Sequence, residues 1–145
     1  MRNNIIVLLL LLGVITTGCV KTNDVAPFVG LIQSDEIIVD NNLFANAPND
    51  AFKLISVQIN DNHMELEVEY AGGCGDVNFK LIGNEEVKES APPQRAIRLS
   101  LQDDDDCGTM LRQKLSFALN PAQVQDYNEL LLQLQDWTDP LSYKY

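Results

Sequence analysis

The sequence predicts an all-β fold, a single antiparallel β-sandwich, immunoglobulin-like or similar, of about seven or eight strands with one short helix. Three observations predict it. Apolar residues recur at every second position in several separate runs, the mark of strands with one dry and one wet face. Polar turn clusters divide those runs at short intervals. Two cysteines, Cys74 and Cys107, are left as an even pair once Cys19 is accounted for by the export segment.

That segment comes first in the chain. Arg2 supplies a positive end, Ile5 to Ile15 an apolar run, and Thr16-Thr17-Gly18 a close of small residues before Cys19. The run is too short to span a bilayer, which takes roughly 20 residues. It reads as a cleaved signal over residues 1–18. Thr17, Gly18 and Cys19 resemble the lipobox of bacterial lipoproteins, in which the cysteine thiol is lipidated; Thr16 departs from the aliphatic residue usual there. The alternative is ordinary cleavage, leaving Cys19 as a free thiol. Lipidation would make a membrane the first partner, since two or three acyl chains anchor stably. Val20 rather than Asp after the cysteine implies, by the same resemblance, the outer membrane of a Gram-negative cell envelope.

Residues 19–50 read as a lipidated tether with one candidate edge strand. Lys21 to Asp24 is polar, and Asp35 to Asp40 has the β-branched centre Ile37-Ile38-Val39. Asn41-Asn42, Asn46 and Ala47 to Asp50 are turn chemistry.

The sandwich proper is expected over residues 51–145. Ile55, Val57 and Ile59 alternate, Asn60 to His63 turns, and Met64, Leu66, Val68 and Tyr70 alternate with Glu65, Glu67 and Glu69, which makes a hairpin. The row continues through Gly72 to Cys74, so without a bulge Cys74 faces the core. Val77, Phe79 and Leu81 form the next strand, ended by Gly83-Asn84; Glu85 to Pro93 is a polar connection. Ile97, Leu99 and Leu101 alternate with Arg98 and Ser100, and after an acidic loop Leu115, Phe117 and Leu119 resume the pattern. One helix is expected from an Asn120 cap and Pro121 to about Asn128, with Gln123 completing a capping box. Leu130, Leu132 and Leu134, alternating with Gln133 and Gln135, then read as a strand, with an extension of that helix as the alternative, and Leu141, Tyr143 and Tyr145 as the last.

Cys74 and Cys107 are 33 residues apart. An oxidising envelope favours their bridging; two buried thiols that never meet are the alternative. No second Cys or His accompanies either at metal-ligand spacing. Asp103, Asp104, Asp105 and Asp106 are weak calcium candidates, because neighbouring side chains do not all converge and the spaced calcium-loop pattern is missing. The plainer expectation is a solvated hairpin tip that also discourages edge-to-edge pairing. His63 falls in a turn, the glutamate row reads as a strand's wet face, and Trp137 as an aromatic over the sheet end.

Several segments follow one order: Glu69-Tyr70-Ala71-Gly72-Gly73-Cys74, Phe79-Lys80-Leu81, Asp105-Asp106-Cys107, Leu115 to Pro121 and Leu141 to Tyr145. This resembles a group of small bacterial lipoproteins, common in Bacteroidetes-like and myxobacterial species, marked by a Gly-Gly-Cys strand end paired with a later Asp-x-Cys. The resemblance covers roughly Leu54 to Tyr145 and implies no settled activity. This chain has Val77 where many members have His, and Ala118 where they tend to have Asp.

The 145 residues carry 21 acidic and 10 basic side chains, a net charge of -11. Loss of residues 1–18 removes Arg2 and no acid, leaving 9 basic against 21 acidic, or -12. Such a surface repels phosphate backbones, so nucleic acid is excluded as a natural partner. Phosphate-loop and dinucleotide motifs are absent, so no cofactor is expected. The expected function is a non-enzymatic envelope module that binds a protein or glycan, or supports a larger assembly. The alternatives are an inhibitor of a cationic hydrolase and a calcium-dependent binder or hydrolase using the acidic loop.

Overall fold

The computed structural model describes residues 28–104 and 106–145. The expected signal segment (residues 1–18), Cys19 and Asp105 lie outside them. Nine strands, among the described residues, form two packed sheets. They are β1 (Phe28–Glu36), β2 (Ile38–Val39), β3 (Phe52–Asn60), β4 (His63–Gly72), β5 (Val77–Lys88), β6 (Gln94–Asp103), β7 (Thr109–Ala118), β8 (Glu129–Leu134) and β9 (Leu141–Lys144). One sheet has the order β1-β7-β4-β3; the other has β2-β5-β6-β8-β9. The all-β sandwich is therefore present. Its pairing is mixed rather than purely antiparallel: β1–β7, β2–β5 and β6–β8 run parallel. Each parallel pair joins strands that are not consecutive in the chain, so no local hairpin signal announces it.

The alternating rows meet between the sheets. Met64, Leu66, Val68, Tyr70, Leu115 and Phe117 face Phe79, Leu81, Ile97, Leu99, Leu101, Leu130 and Leu132 in one core. The Tyr70 and Phe79 rings sit edge to face at 5.4 Å, and Phe52 meets Phe79 likewise at 6.0 Å. The Tyr70 hydroxyl donates to the buried Gln113 amide oxygen at 3.2 Å, which satisfies both polar groups inside the core.

Strands begin upstream of Ala51, where the alternation read from sequence starts. The chain leaves the four-stranded sheet at Ile37, whose N–H donates to the Ala118 carbonyl at 3.0 Å while its side chain enters the core. It then pairs as β2 on the edge of the other sheet. The Ile37-Ile38-Val39 centre does form an edge strand, but a second and longer strand, β1, precedes it.

The two helical segments exchange roles relative to expectation. The stretch read as turn chemistry forms a helix, α1 (Asn41–Asn46), capped by Asp40, whose Oδ1 accepts from the Leu43 N–H at 2.7 Å. Six residues are too few to show a helical period, and a helix this short survives only by tertiary contact. Arg98 provides that contact. Its Nη1 donates to the Phe44 carbonyl at 3.1 Å, and its Nη2 to the Ala47 and Pro48 carbonyls at 2.8 and 3.0 Å. Ser100 Oγ adds a bond to the Pro48 carbonyl at 2.6 Å. Arg98 and Ser100 are thus buried rather than on a wet face.

The helix expected at Asn120 is instead a single 3-10 turn, Asn120–Ala122, whose cap position is Leu119 and which has no side-chain cap. Gln123 does not close a capping box: its amide donates to the Tyr143 hydroxyl at 2.9 Å. The Val124 backbone binds the Tyr145 hydroxyl through both N–H and carbonyl. These tertiary bonds hold the segment out of a helix.

The strand expected to stop at Gly83 also continues, as β5, to Lys88. Its register against β6 is irregular between Gly83 and Val87, and the buried Arg95 donates through Nη1 to the Asn84 and Glu85 carbonyls there. A Cβ on Gly83 would meet Arg95 Cδ and Ile37 Cδ1 at 3.4 Å, ordinary van der Waals contact, so the glycine neither ends the strand nor is demanded by its neighbours.

Arg98→Ala is expected to lower the unfolding free energy by about 2–3 kcal/mol, because three carbonyls lose a charged donor. Urea denaturation measures this. Arg98→Lys should recover only part of the loss, since an ammonium cannot reproduce the planar fork.

Candidate functional site

Two features carry chemistry: the end where the cysteines meet, and the outer face of the β1-β7-β4-β3 sheet. At the first, β4 stops at Gly72 and the chain crosses to β5; nearby, β6 stops at Asp103 and the chain crosses back to β7. Cys74 in the first crossover and Cys107 in the second are joined, with 5.8 Å between their Cα atoms. Cys74 does not face the core. Gly73 adopts φ +112°, which ends the alternation, and Cys74 is exposed while Cys107 is half-buried.

The acidic run is correspondingly not a hairpin tip. It lies on a crossover between sheets, and β6 is interior to its sheet, so these acids guard no edge. The Asp103 N–H donates to Asp50 Oδ2 at 2.9 Å, which ties the loop before β3 to this end. Asp104 and Asp106 are exposed. Among the described residues no three His, Cys, Asp or Glu side chains are grouped to hold a metal ion.

On the outer sheet face, Glu69 accepts from Arg112 Nε at 3.0 Å, and Glu67 lies 3.8 Å from Arg112 Nη1. Both pairs are partly solvated, so they fix side-chain positions more than they stabilise the fold. Glu65 accepts from Gln58 Nε2 at 2.7 Å. Hydrogen bonds from Gln58 and Asn60 hold the Glu65 carboxyl below the ordinary glutamate range, with smaller help from Lys114 and His63. A shallow groove of about 390 Å³ runs over this face, lined by Ser56, Gln58, Glu65, Glu67, Lys114 and Ser116. It lies beside an irregularity of the β3–β4 register between Leu54 and Ser56. Its mixture of carboxylates, hydroxyls and amides can accept and donate hydrogen bonds to a polar partner surface.

The glutamate row is therefore the half-exposed wet face anticipated from the alternation. Sequence reading missed Ser56, Gln58 and Ser116, which only strand pairing brings beside it: Ser56 opposes Glu67, which opposes Lys114, and Gln58 opposes Glu65, which opposes Ser116. His63 is exposed at the start of β4, and Trp137 packs half-buried against the core at the β8–β9 turn.

No family model and no curated protein matches the chain. Solved structures do. A NigD-like immunity protein from Bacteroides caccae superposes with a TM-score of 0.54 at 12% identity, covering 77% of this chain and 58% of its own. A DUF1344 protein of unknown function from Bacteroides vulgatus gives 0.51 at 12% identity, covering 83% and 56%. A protein described as toxin-related from Parabacteroides distasonis gives 0.50 at 17% identity, covering 79% and 61%. The likeness is one of fold, and this chain spans less than two thirds of the length of each.

Removing the crosslink with Cys74→Ala and Cys107→Ala should cost about 3–4 kcal/mol, the loop-closure value for a separation of this size. Equal melting curves for the two forms would contradict this. For Glu65, a side-chain carbon NMR titration should give a midpoint below that of a free glutamate, and Gln58→Ala should move it up. A depressed carboxyl favours the fold above its unfolded pKa and loses that contribution as pH falls through the folded one, so the effect is confined to acid.

Proposed function

We propose that this protein is a non-catalytic binding module of the cell envelope, lipid-anchored at Cys19, that docks on a basic protein. The observation that carries the reading is the sandwich it shares with a NigD-like immunity protein. The charge balance of the mature chain, 9 basic against 21 acidic side chains or -12, favours a basic partner, because complementary potential speeds encounter and rejects like-charged surfaces. The wet face of β3, β4 and β7 supplies polar groups at fixed spacing, and the joined crossovers keep the two sheets in register behind it. Val20 after Cys19, by resemblance to the sorting of Gram-negative lipoproteins, supports the outer membrane as the membrane that holds the anchor.

Intact mass of the mature protein from its native host should show loss of residues 1–18 and a gain equal to the acyl groups. Capture from envelopes in gentle detergent should recover one basic protein in stoichiometric amount. That capture should fall when salt is raised to about 0.5 M, where the Debye length is a few ångströms. Background alone, or capture indifferent to salt, would sink the proposal.

A further inference from the structure

The four strands that end the sheets, β1, β3, β2 and β9, are guarded unequally. β2 has two residues, and β9 has four with Pro140 just before it. β1 carries a register irregularity between Val29 and Ile32 and ends in Asp35-Glu36. Short length, proline, irregularity and acids all discourage a further strand. β3 has nine residues, no proline and one charged side chain, Lys53. Its irregularity falls between Leu54 and Ser56, which leaves residues 56–60 as a regular, uncharged run. β9 touches β3 from the other sheet but pairs with β8. Among the described residues no strand lies on the outer side of β3, so every second residue there points its N–H and carbonyl outward.

The side chains along this edge say what fits it. Toward the core, Phe52, Leu54, Val57 and Ile59 are half-buried, whereas Met64, Leu66, Val68 and Tyr70 of the neighbouring β4 are buried. Apolar side chains of an added strand would cover what β3 leaves open. On the outer face Ser56 is small, exposed and opposite Glu67. Glu67 is held less closely than its neighbour, 3.8 Å from Arg112 against 3.0 Å for Glu69. Inward from the edge, the glutamates of β4 come before Arg112 and Lys114 of β7. The groove already described takes in both Ser56 and Glu67. A strand beside β3 would lie about 9.5 Å from β4, twice the strand spacing, a gap that an arginine and a glutamate bridge by reaching toward each other over Ser56.

We infer that the free edge of β3 takes up an extended segment of the basic protein as an added strand. Its apolar side chains lie against Val57 and Ile59, and one basic side chain lies over Ser56 onto Glu67. This deepens the docking reading above and rests on it. Main-chain hydrogen bonds to β3 give the affinity, and the side chains on its two faces give the register. A second copy of this chain fits less well. It would bring two acidic chains together along a strip of residues 56–60, short of the ~1,200 Å² that a stable interface buries.

The probe is a capped nonapeptide of alternating arginine and valine, added to the mature full-length protein at low salt. Amide hydrogen exchange at β3 should slow by about ten-fold or more at saturation, with the edges of β1, β2 and β9 unchanged. The same peptide methylated on every backbone nitrogen, or carrying glutamate for arginine, should not bind. Glu67→Gln should weaken binding by about two- to five-fold, the range of an exposed ion pair, and Lys53→Gln should not weaken it. Circular dichroism reports the fold of both variants. No binding, equal binding of the methylated peptide, or slowing at another strand overturns the inference. So does a free protein that light scattering shows to be dimeric with β3 already protected, which would make a second copy the occupant. If envelopes yield a basic protein that saturating peptide fails to displace, the edge assignment alone falls. If they yield no basic protein, the docking reading falls and takes this one with it.

Discussion

The covalent bond between two crossovers is the constraint on which the rest of this molecule depends. β4 and β7 are neighbours in one sheet; β5 and β6 are neighbours in the other. The chain passes from β4 to β5 and back from β6 to β7 at the same end, and Cys74–Cys107 ties the two passages together. The bond therefore acts on the spacing and register of the sheets, not on a single strand end. Crosslinking two crossovers also restricts the unfolded chain, where a free loop of this length would be far more variable.

The two outer faces then diverge. That of the five-stranded sheet is partly covered, because Arg98 draws α1 and the following loop onto it by their carbonyls. Ile82, paired with Arg98, is buried as a result. On the outer face of the other sheet the half-exposed glutamates of β4 alternate with hydroxyl and amide groups from neighbouring strands. Hydrogen bonds and ion pairs among Gln58, Glu65, Glu69 and Arg112 hold side chains in place on that face.

The far end of the molecule is closed by side chains from the last strand. Tyr143 receives from Gln123 and donates to Asn62, and Tyr145 binds the Val124 backbone. The C-terminal residues are thus structural, gathering the β3–β4 turn and the segment after β7. The same bonds explain why the capping-box pattern at Asn120 misled: Gln123 has a better partner in the folded protein than its own helix terminus.

Much of the fold was legible in residues 51–145, because alternation with one buried face leaves a period of two that survives any topology. The β3–β4 hairpin, the buried rows of β6, β7 and β8, and the wet glutamate face all follow from it. Cysteine parity likewise pointed to Cys74 and Cys107. Tertiary structure alone decided which strands lie side by side, since parallel pairs such as β1–β7 join segments far apart in the chain. It also decided that Arg98 and Ser100 are buried, that α1 exists, and that Ser56, Gln58 and Ser116 stand beside Glu65 and Glu67. The physical reason is common to all of these. Period and composition report whether a residue is dry or wet, but its partner across space is set by chain crossings that leave no local pattern.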